Sequence, residues 1–129
     1  MSTAHLRFPC FLGRRVHLGV TGSIAAYKSL ELLRLLVDAQ IGVGVTLTAS
    51  AQRFIGAESF RALGADVIDT AMFGAGEPDD PFAHLTPGRS AAALVIAPAT
   101  ANILAKLAHG LADDMLSTQA LAFRGPLVL

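Results

Sequence analysis

Charged side chains are scarce in this chain of 129 residues. They make up 16% of the residues, while apolar residues make up 53%, and an average domain has about a quarter charged residues. The ten basic and ten acidic residues cancel, and no basic cluster exceeds Arg14-Arg15. The sequence therefore lacks the electrostatic footprint of a nucleic-acid-binding protein. A surface so poor in charge predicts self-association.

Cysteine is nearly absent as well. The single thiol, Cys10, excludes an intrachain disulfide scaffold and favours a reducing cytoplasm. The first apolar stretch is too short for a signal peptide, and the longest apolar run, residues 91–99, contains Pro98 and cannot span a bilayer. No two histidines have metal-ligand spacing. We expect a cytoplasmic protein without a membrane segment or a metal.

Short apolar runs alternate with segments of helical period. Strands are predicted over residues 16–20, 43–47, 67–68, 92–97 and 127–129, and helices over 24–39, 57–63, 100–109 and 113–122. This order predicts an α/β fold: a doubly wound parallel sheet in three αβα layers, Rossmann-like or flavodoxin-like. We expect an arm over residues 1–14 and one domain over 15–129 that is truncated at its C-terminal end.

The turn after the first strand favours an anion. Gly22 permits close approach, Thr21 and Ser23 add hydroxyl groups, and the helix that follows presents backbone N–H groups. A merely capped helix explains the same residues, so both interpretations stay open here. A dinucleotide site is disfavoured, because the Gly-x-Gly-x-x-Gly spacing is missing and Thr48 stands where a ribose-binding acid is expected.

The remaining polar residues have ordinary explanations. His84 follows a loop over residues 73–81 that is rich in Gly, Pro and Asp, and the pattern alone favours a surface histidine. His17 is expected at a strand edge, and Asp113-Asp114 is expected to cap a helix. Lys106 is expected to be a solvated or snorkelling side chain and not a phosphate clamp.

Several blocks in register resemble the phosphopantothenoylcysteine decarboxylase family. They are residues 20–28 (VTGSIAAYK), 47–55 (LTASAQRFI), 84–85 (HL), 97–102 (APATAN) and 104–118 (LAKLAHGLADDMLST). The resemblance covers nearly everything from residue 16 to residue 129. The family's later Pro-Ala-Met-Asn motif and lid cysteine have no counterpart within these 129 residues.

The resemblance implies an FMN site and the residues that form it. The family's phosphate-binding segment corresponds here to Gly22, Ser23 and Ile24, and the segment after its second strand adds the hydroxyls of Thr48 and Ser50. Its flavin-lining segment corresponds to Thr100, Ala101 and Asn102. His84, in the family's His-Ile/Leu position, becomes the catalytic acid/base. Pro87 and Gly88 follow it where relatives have a regular helix.

The implied activity is decarboxylation of phosphopantothenoylcysteine in coenzyme A biosynthesis. In the family, FMN oxidises the cysteinyl thiol to a thioaldehyde, which promotes loss of the carboxylate, and the reduced flavin returns the electrons. The implied assembly is a homotrimer or higher oligomer with its site between subunits. Two alternatives remain, a non-catalytic FMN-binding or regulatory module and, less favoured by residues 25–28 and His84, a flavin prenyltransferase.

Overall fold

The computed structural model describes residues 13–68 and 82–129. Five strands lie within these residues, β1 (Arg15–Val20), β2 (Gly42–Leu47), β3 (Asp66–Val67), β4 (Ala93–Ile96) and β5 (Leu127–Val128). They alternate with α1 (Lys28–Asp38), α2 (Ala57–Ala62), α3 (Thr86–Ser90), α4 (Ala101–His109) and α5 (Met115–Ala122). The predicted arm up to residue 12, Cys10 and the predicted loop over residues 73–81 lie outside the described residues.

The strands form one parallel sheet in the order β3-β2-β1-β4-β5. The chain first moves outward from β1 to β3 and then returns to place β4 on the other side of β1. This reversal creates a switch point between β1 and β4, as in the Rossmann strand order. The predicted doubly wound parallel sheet is confirmed.

Helices cover both faces of the sheet, as alternate residues of β4 demonstrate. Val95 packs with the core cluster that contains Leu33 of α1 and Phe60 of α2. Leu94 and Ile96, which point to the other face, pack with Ile103 of α4 and Leu116 of α5. Apolar side chains on both sides of each central strand explain the continuous apolar runs in the sequence.

Two positions on the α5 face of the sheet depart from this apolar pattern. Gly19 lies beneath α5, and a Cβ atom there would lie 2.5 Å from Leu116 Cδ1, so its small size sets the spacing between sheet and helix. His17 is buried in the central strand β1, with Nε2 2.8 Å from Thr46 Oγ1 in a hydrogen bond. The expectation that His17 lies at a strand edge is therefore wrong.

The helix boundaries differ slightly from prediction for local reasons. The segment predicted as one helix from residue 24 begins with a 3-10 turn, Ile24–Tyr27, capped by Ser23, whose Oγ accepts a hydrogen bond from Ala25 N–H at 3.1 Å. The last predicted helix begins at Met115, because Asp114 is its N-cap in a capping box with Ser117. Among the described residues, no helix has the length and apolarity needed to cross a membrane.

Candidate ligand-binding cavity

A cavity of about 370 Å³ opens at the carboxyl ends of β1 and β2 and at the start of α4. Parallel α/β sheets bind ligands at such switch points, and the volume falls in the usual range for small-molecule sites, roughly 300–1,000 Å³. Its lining residues are Thr21, Gly22, Thr48, Ala49, Ser50, Thr100, Asn102, Ile103, Lys106 and Asp114.

Thr21 holds the two sides of the switch point together. Its side chain is buried, its Oγ1 donates a hydrogen bond to Pro98 O at 2.5 Å, and it accepts one from Thr100 N–H at 3.1 Å. One hydroxyl thus fixes the end of β1 against the segment between β4 and α4. Because both hydrogen-bonding roles are already used, Thr21 has a structural role here more than a ligand-binding one.

Gly22 lies where two backbones approach closely. A Cβ atom at this position would lie 2.9 Å from the carbonyl carbon of Ser50 and 3.2 Å from Ala51 N, and would also meet Ser50 Cβ. These neighbours are mostly backbone and cannot swing aside. The close approach lets the first turn and the Ser50 turn border one cavity, which explains glycine at position 22.

The hydroxyl groups at the cavity are oriented by backbone N–H groups. Thr48 Oγ1 accepts a hydrogen bond from Ala51 N–H at 3.1 Å, and Thr100 Oγ1 accepts one from Ile103 N–H at 3.4 Å as the N-cap of α4. A hydroxyl that accepts in this way keeps its own O–H to donate. These two threonines can therefore donate to an anion, and the positive end of α4 adds to the attraction.

Lys106 provides a positive charge at the cavity wall. Its Nζ lies 2.9 Å from Asp113 Oδ1 and 2.7 Å from Asp114 Oδ2, and its side chain is 16% exposed. Hydrogen bonds to Asp113 and then Asp114 raise the pKa of Lys106. The ammonium group is therefore paired and not simply solvated, because the segment between α4 and α5 brings both carboxylates to it.

Asp114 connects this charge pair to α5. Partial burial favours its protonated form, but hydrogen bonds from Lys106 and from Ser117 outweigh burial, and the pKa of Asp114 is lowered. Its Oδ1 accepts from Ser117 N–H at 2.7 Å, which confirms the predicted helix-capping role. One carboxylate oxygen of Asp114 thus accepts a hydrogen bond at the start of α5, and the other accepts one from Lys106.

Five of the eight predicted cofactor-binding residues line this cavity: Gly22, Thr48, Ser50, Thr100 and Asn102. They come from three separate turns, so only the tertiary fold brings them together. Ser23, Ile24 and Ala101 do not line it, and the Ile24 side chain is 82% exposed. Ser23 and Ala101 adjoin lining residues in the chain, whereas Ile24 lies two positions after Gly22.

His84, the predicted acid/base, is not among the residues that line the cavity. It is half-buried in a 3-10 turn, Ala83–Leu85, which leads directly into α3. Pro87 lies in the first turn of α3, where its missing N–H costs no helical hydrogen bond. Pro87 and Gly88 thus permit a short helix of five residues after His84.

Sequence reasoning missed Lys106 and Asp114 as cavity residues. Lys106 lies in α4, whereas Asp114 lies beyond its end as the N-cap of α5, so no single helical period relates the two. The only signal in the sequence was that Lys106 is positively charged and that the negatively charged pair Asp113-Asp114 follows soon after Gly110. Gly110 ends α4 in a left-handed conformation (φ 68°).

Strand order and cavity together define a class: a doubly wound α/β domain with a crevice of ligand size at its switch point. The sequence model of the Flavoprotein family matches residues 10–129. The chain belongs to the Flavoprotein family.

Individual relatives agree with this assignment. The coenzyme A biosynthesis bifunctional protein CoaBC of Mycobacterium bovis is 43% identical over 124 residues, which cover 96% of this chain and 28% of that protein. The chain thus spans less than a third of the length of this curated relative.

Solved structures extend the similarity. The FMN-dependent cysteine decarboxylase SpaF is 36% identical with a TM-score of 0.71, covering 91% of this chain and 67% of SpaF. A PPC decarboxylase mutant complexed with pantothenoylaminoethenethiol is 30% identical with a TM-score of 0.73, covering 88% of this chain and 64% of that one. The predicted resemblance to phosphopantothenoylcysteine decarboxylases is confirmed.

Proposed function

We propose that the cavity binds FMN, with the phosphate at the turn formed by Gly22, Ser23 and Ile24. The observation that carries the proposal is the missing Cβ at Gly22, which lets this turn and the Ser50 turn share one cavity. The hydroxyls of Thr48 and Thr100 have their acceptor sites occupied by backbone N–H groups, so they donate towards the ligand. A phosphate is the group that such donors favour.

The flavin ring would extend from this turn along the start of α4. Asn102 borders the cavity there, Ala101 lies next to it in the chain, and Ile103 adds a buried apolar wall. Such a mixture of apolar wall and few polar groups is typical of cofactor sites. The residues present therefore fit FMN.

The proposed reaction is the decarboxylation of phosphopantothenoylcysteine in cytoplasmic coenzyme A synthesis. It is supported by the similarity to CoaBC and to the PPC decarboxylase structure. Bound flavin supplies the reversible two-electron oxidation that activates the cysteinyl group. His84 is the acid/base, which takes up and returns a proton at its imidazole.

A site shared between subunits would explain why His84 lies outside the cavity of its own chain, because it would then act at the cavity of a neighbouring subunit. We include a homotrimer or higher oligomer in the proposal, as the family resemblance implies. Large apolar side chains that are exposed in the described chain support it, including Ile24, Tyr27, Phe54, Leu121 and Leu129. Burial of these side chains against another subunit would remove their apolar surface from water.

The test is flavin binding and turnover by the complete gene product. Purified protein should be yellow, and it should release carbon dioxide from the cysteinyl substrate, with the release abolished in His84→Asn while FMN binding persists. Protein that takes up no FMN in a fluorescence titration would remove the proposal.

A non-catalytic FMN-binding module is the second candidate. The observation that supports it is the position of His84 outside the cavity of the single chain. It predicts FMN binding without carbon dioxide release, even when the complete gene product is assembled into its native oligomer. The same two measurements therefore separate the candidates.

A further inference from the structure

Gln119 is a polar residue in an otherwise apolar position. It lies on α5, one turn after Leu116, and is 1% exposed. Its Oε1 is buried and has no hydrogen-bond partner among the described residues. Burial of an unsatisfied amide oxygen is unfavourable, so packing alone would favour leucine or methionine here.

The other end of the same amide has a partner. Gln119 Nε2 donates a hydrogen bond to the backbone carbonyl of Ala83 at 3.4 Å. Ala83 is buried and immediately precedes His84 in the turn Ala83–Leu85. The amide therefore connects α5 directly to the turn that carries His84.

The turn itself is short and has two local backbone hydrogen bonds. Leu85 N–H donates to Phe82 O at 2.8 Å, and Thr86 N–H donates to the Ala83 carbonyl, which thus accepts from both Thr86 and Gln119. The helix that follows has only five residues. Short helices are marginal without tertiary contacts. A contact from α5, which begins at the cavity with Asp114, thus fixes this turn relative to the sheet.

We propose that Gln119 is a positioning residue for His84, holding the Ala83–Leu85 turn against α5 through the Ala83 carbonyl. The proposal rests on the proposed role of His84 as acid/base. Gln119 is 1% exposed and does not line the cavity, so it acts through the Ala83 carbonyl and not by contact with cofactor or substrate.

The test compares the full chain with Gln119→Met, which matches the side-chain length without polar atoms. Because both the donated hydrogen bond and the unsatisfied Oε1 disappear, the free energy of unfolding should hardly change. Hydrogen exchange of the Leu85 amide should become roughly fivefold faster, as expected from losing one net hydrogen bond of about 1 kcal/mol. The His84 imidazole resonances should shift at the same time.

Activity measurements add a second readout. In the FMN-loaded enzyme, Gln119→Met should lower kcat roughly fivefold and leave KM and FMN affinity unchanged. Thr118→Val is the matched control: it removes the neighbouring α5 hydroxyl, which bonds the carbonyls of Ala112 and Asp114, and leaves the Ala83 contact intact. It should alter neither Leu85 exchange nor the His84 resonances.

Unchanged Leu85 exchange and His84 resonances in Gln119→Met would overturn the proposal. If that variant fails to fold, the wild-type spectrum decides: nuclear Overhauser effects between the Gln119 amide protons and the Ala83-His84 backbone support the proposal, and their absence overturns it. Loss of the proposed function has a different signature. In that case His84→Asn retains full activity while the Gln119 contact remains visible.

Discussion

The buried histidine His17 predicts a loss of stability in mild acid. Burial, with a smaller contribution from the Arg15 cation, lowers the pKa of His17 from 6.5 to about 4. Above pH 6.5 the residue is neutral in both the folded and the unfolded chain. Between pH 6.5 and pH 4 the unfolded chain binds a proton that the folded chain does not. Folding stability therefore falls as the pH falls through this window.

The size of the effect follows from the difference between the two pKa values. At about 1.4 kcal/mol per pKa unit, it amounts to about 3 kcal/mol by pH 4. Below pH 4 both states are protonated and His17 causes no further loss. Since domains of this size are stable by about 5–15 kcal/mol, the change should be readily measured.

The assay is urea unfolding at pH 7, 6, 5 and 4 with wild type and His17→Gln. The wild type should lose about 3 kcal/mol more than His17→Gln between pH 7 and pH 4, because glutamine does not titrate. His109→Gln is the matched control, since His109 is exposed at the end of α4, and it should follow the wild type. Parallel curves for wild type and His17→Gln would refute the reasoning.

Two further predictions concern the charge pair at the cavity wall. Asp114→Ala should lower the free energy of unfolding by about 1–2 kcal/mol, because it removes the N-cap of α5. Asp113→Ala should lower the free energy of unfolding by less than Asp114→Ala does, since Asp113 caps no helix and its ion pair with Lys106 is at a side chain that is 68% exposed. Equal losses in urea unfolding would contradict this. Lys106→Met should raise the pKa of Asp114, measured by carboxyl NMR titration, and an unchanged pKa would contradict the assigned cause.

Local patterns were sufficient to predict most of the fold. The apolar runs at residues 43–47 and 92–97 predicted β2 and β4, since strands covered on both faces have no polar alternation. Gly110 and Asp114 marked the end of α4 and the start of α5 because their backbone roles are local.

Pairings across the fold could not be predicted in this way. His17 was misplaced because its burial depends on the central position of β1 in the sheet, and its hydrogen bond to Thr46 joins residues 29 positions apart. Lys106 was missed because its partners, Asp113 and Asp114, lie beyond the end of α4, in the segment that leads into α5. The family resemblance predicted five of the residues that line the cavity. The close approach of Gly22 to Ser50 could be seen only in the three-dimensional structure.

FMN titration of wild type, Gly22→Ala and Gly56→Ala tests the central claim most directly. Gly56 begins a helix as Gly22 begins a turn, but a Cβ atom there meets nothing within 4 Å. The alanine Cβ at position 22 would lie 2.9 Å from the Ser50 carbonyl carbon, so its turn must move, at a cost of about 1–3 kcal/mol. We predict that Gly22→Ala weakens FMN binding about tenfold or more and that Gly56→Ala binds like wild type. Equal FMN affinity in all three proteins would contradict the site.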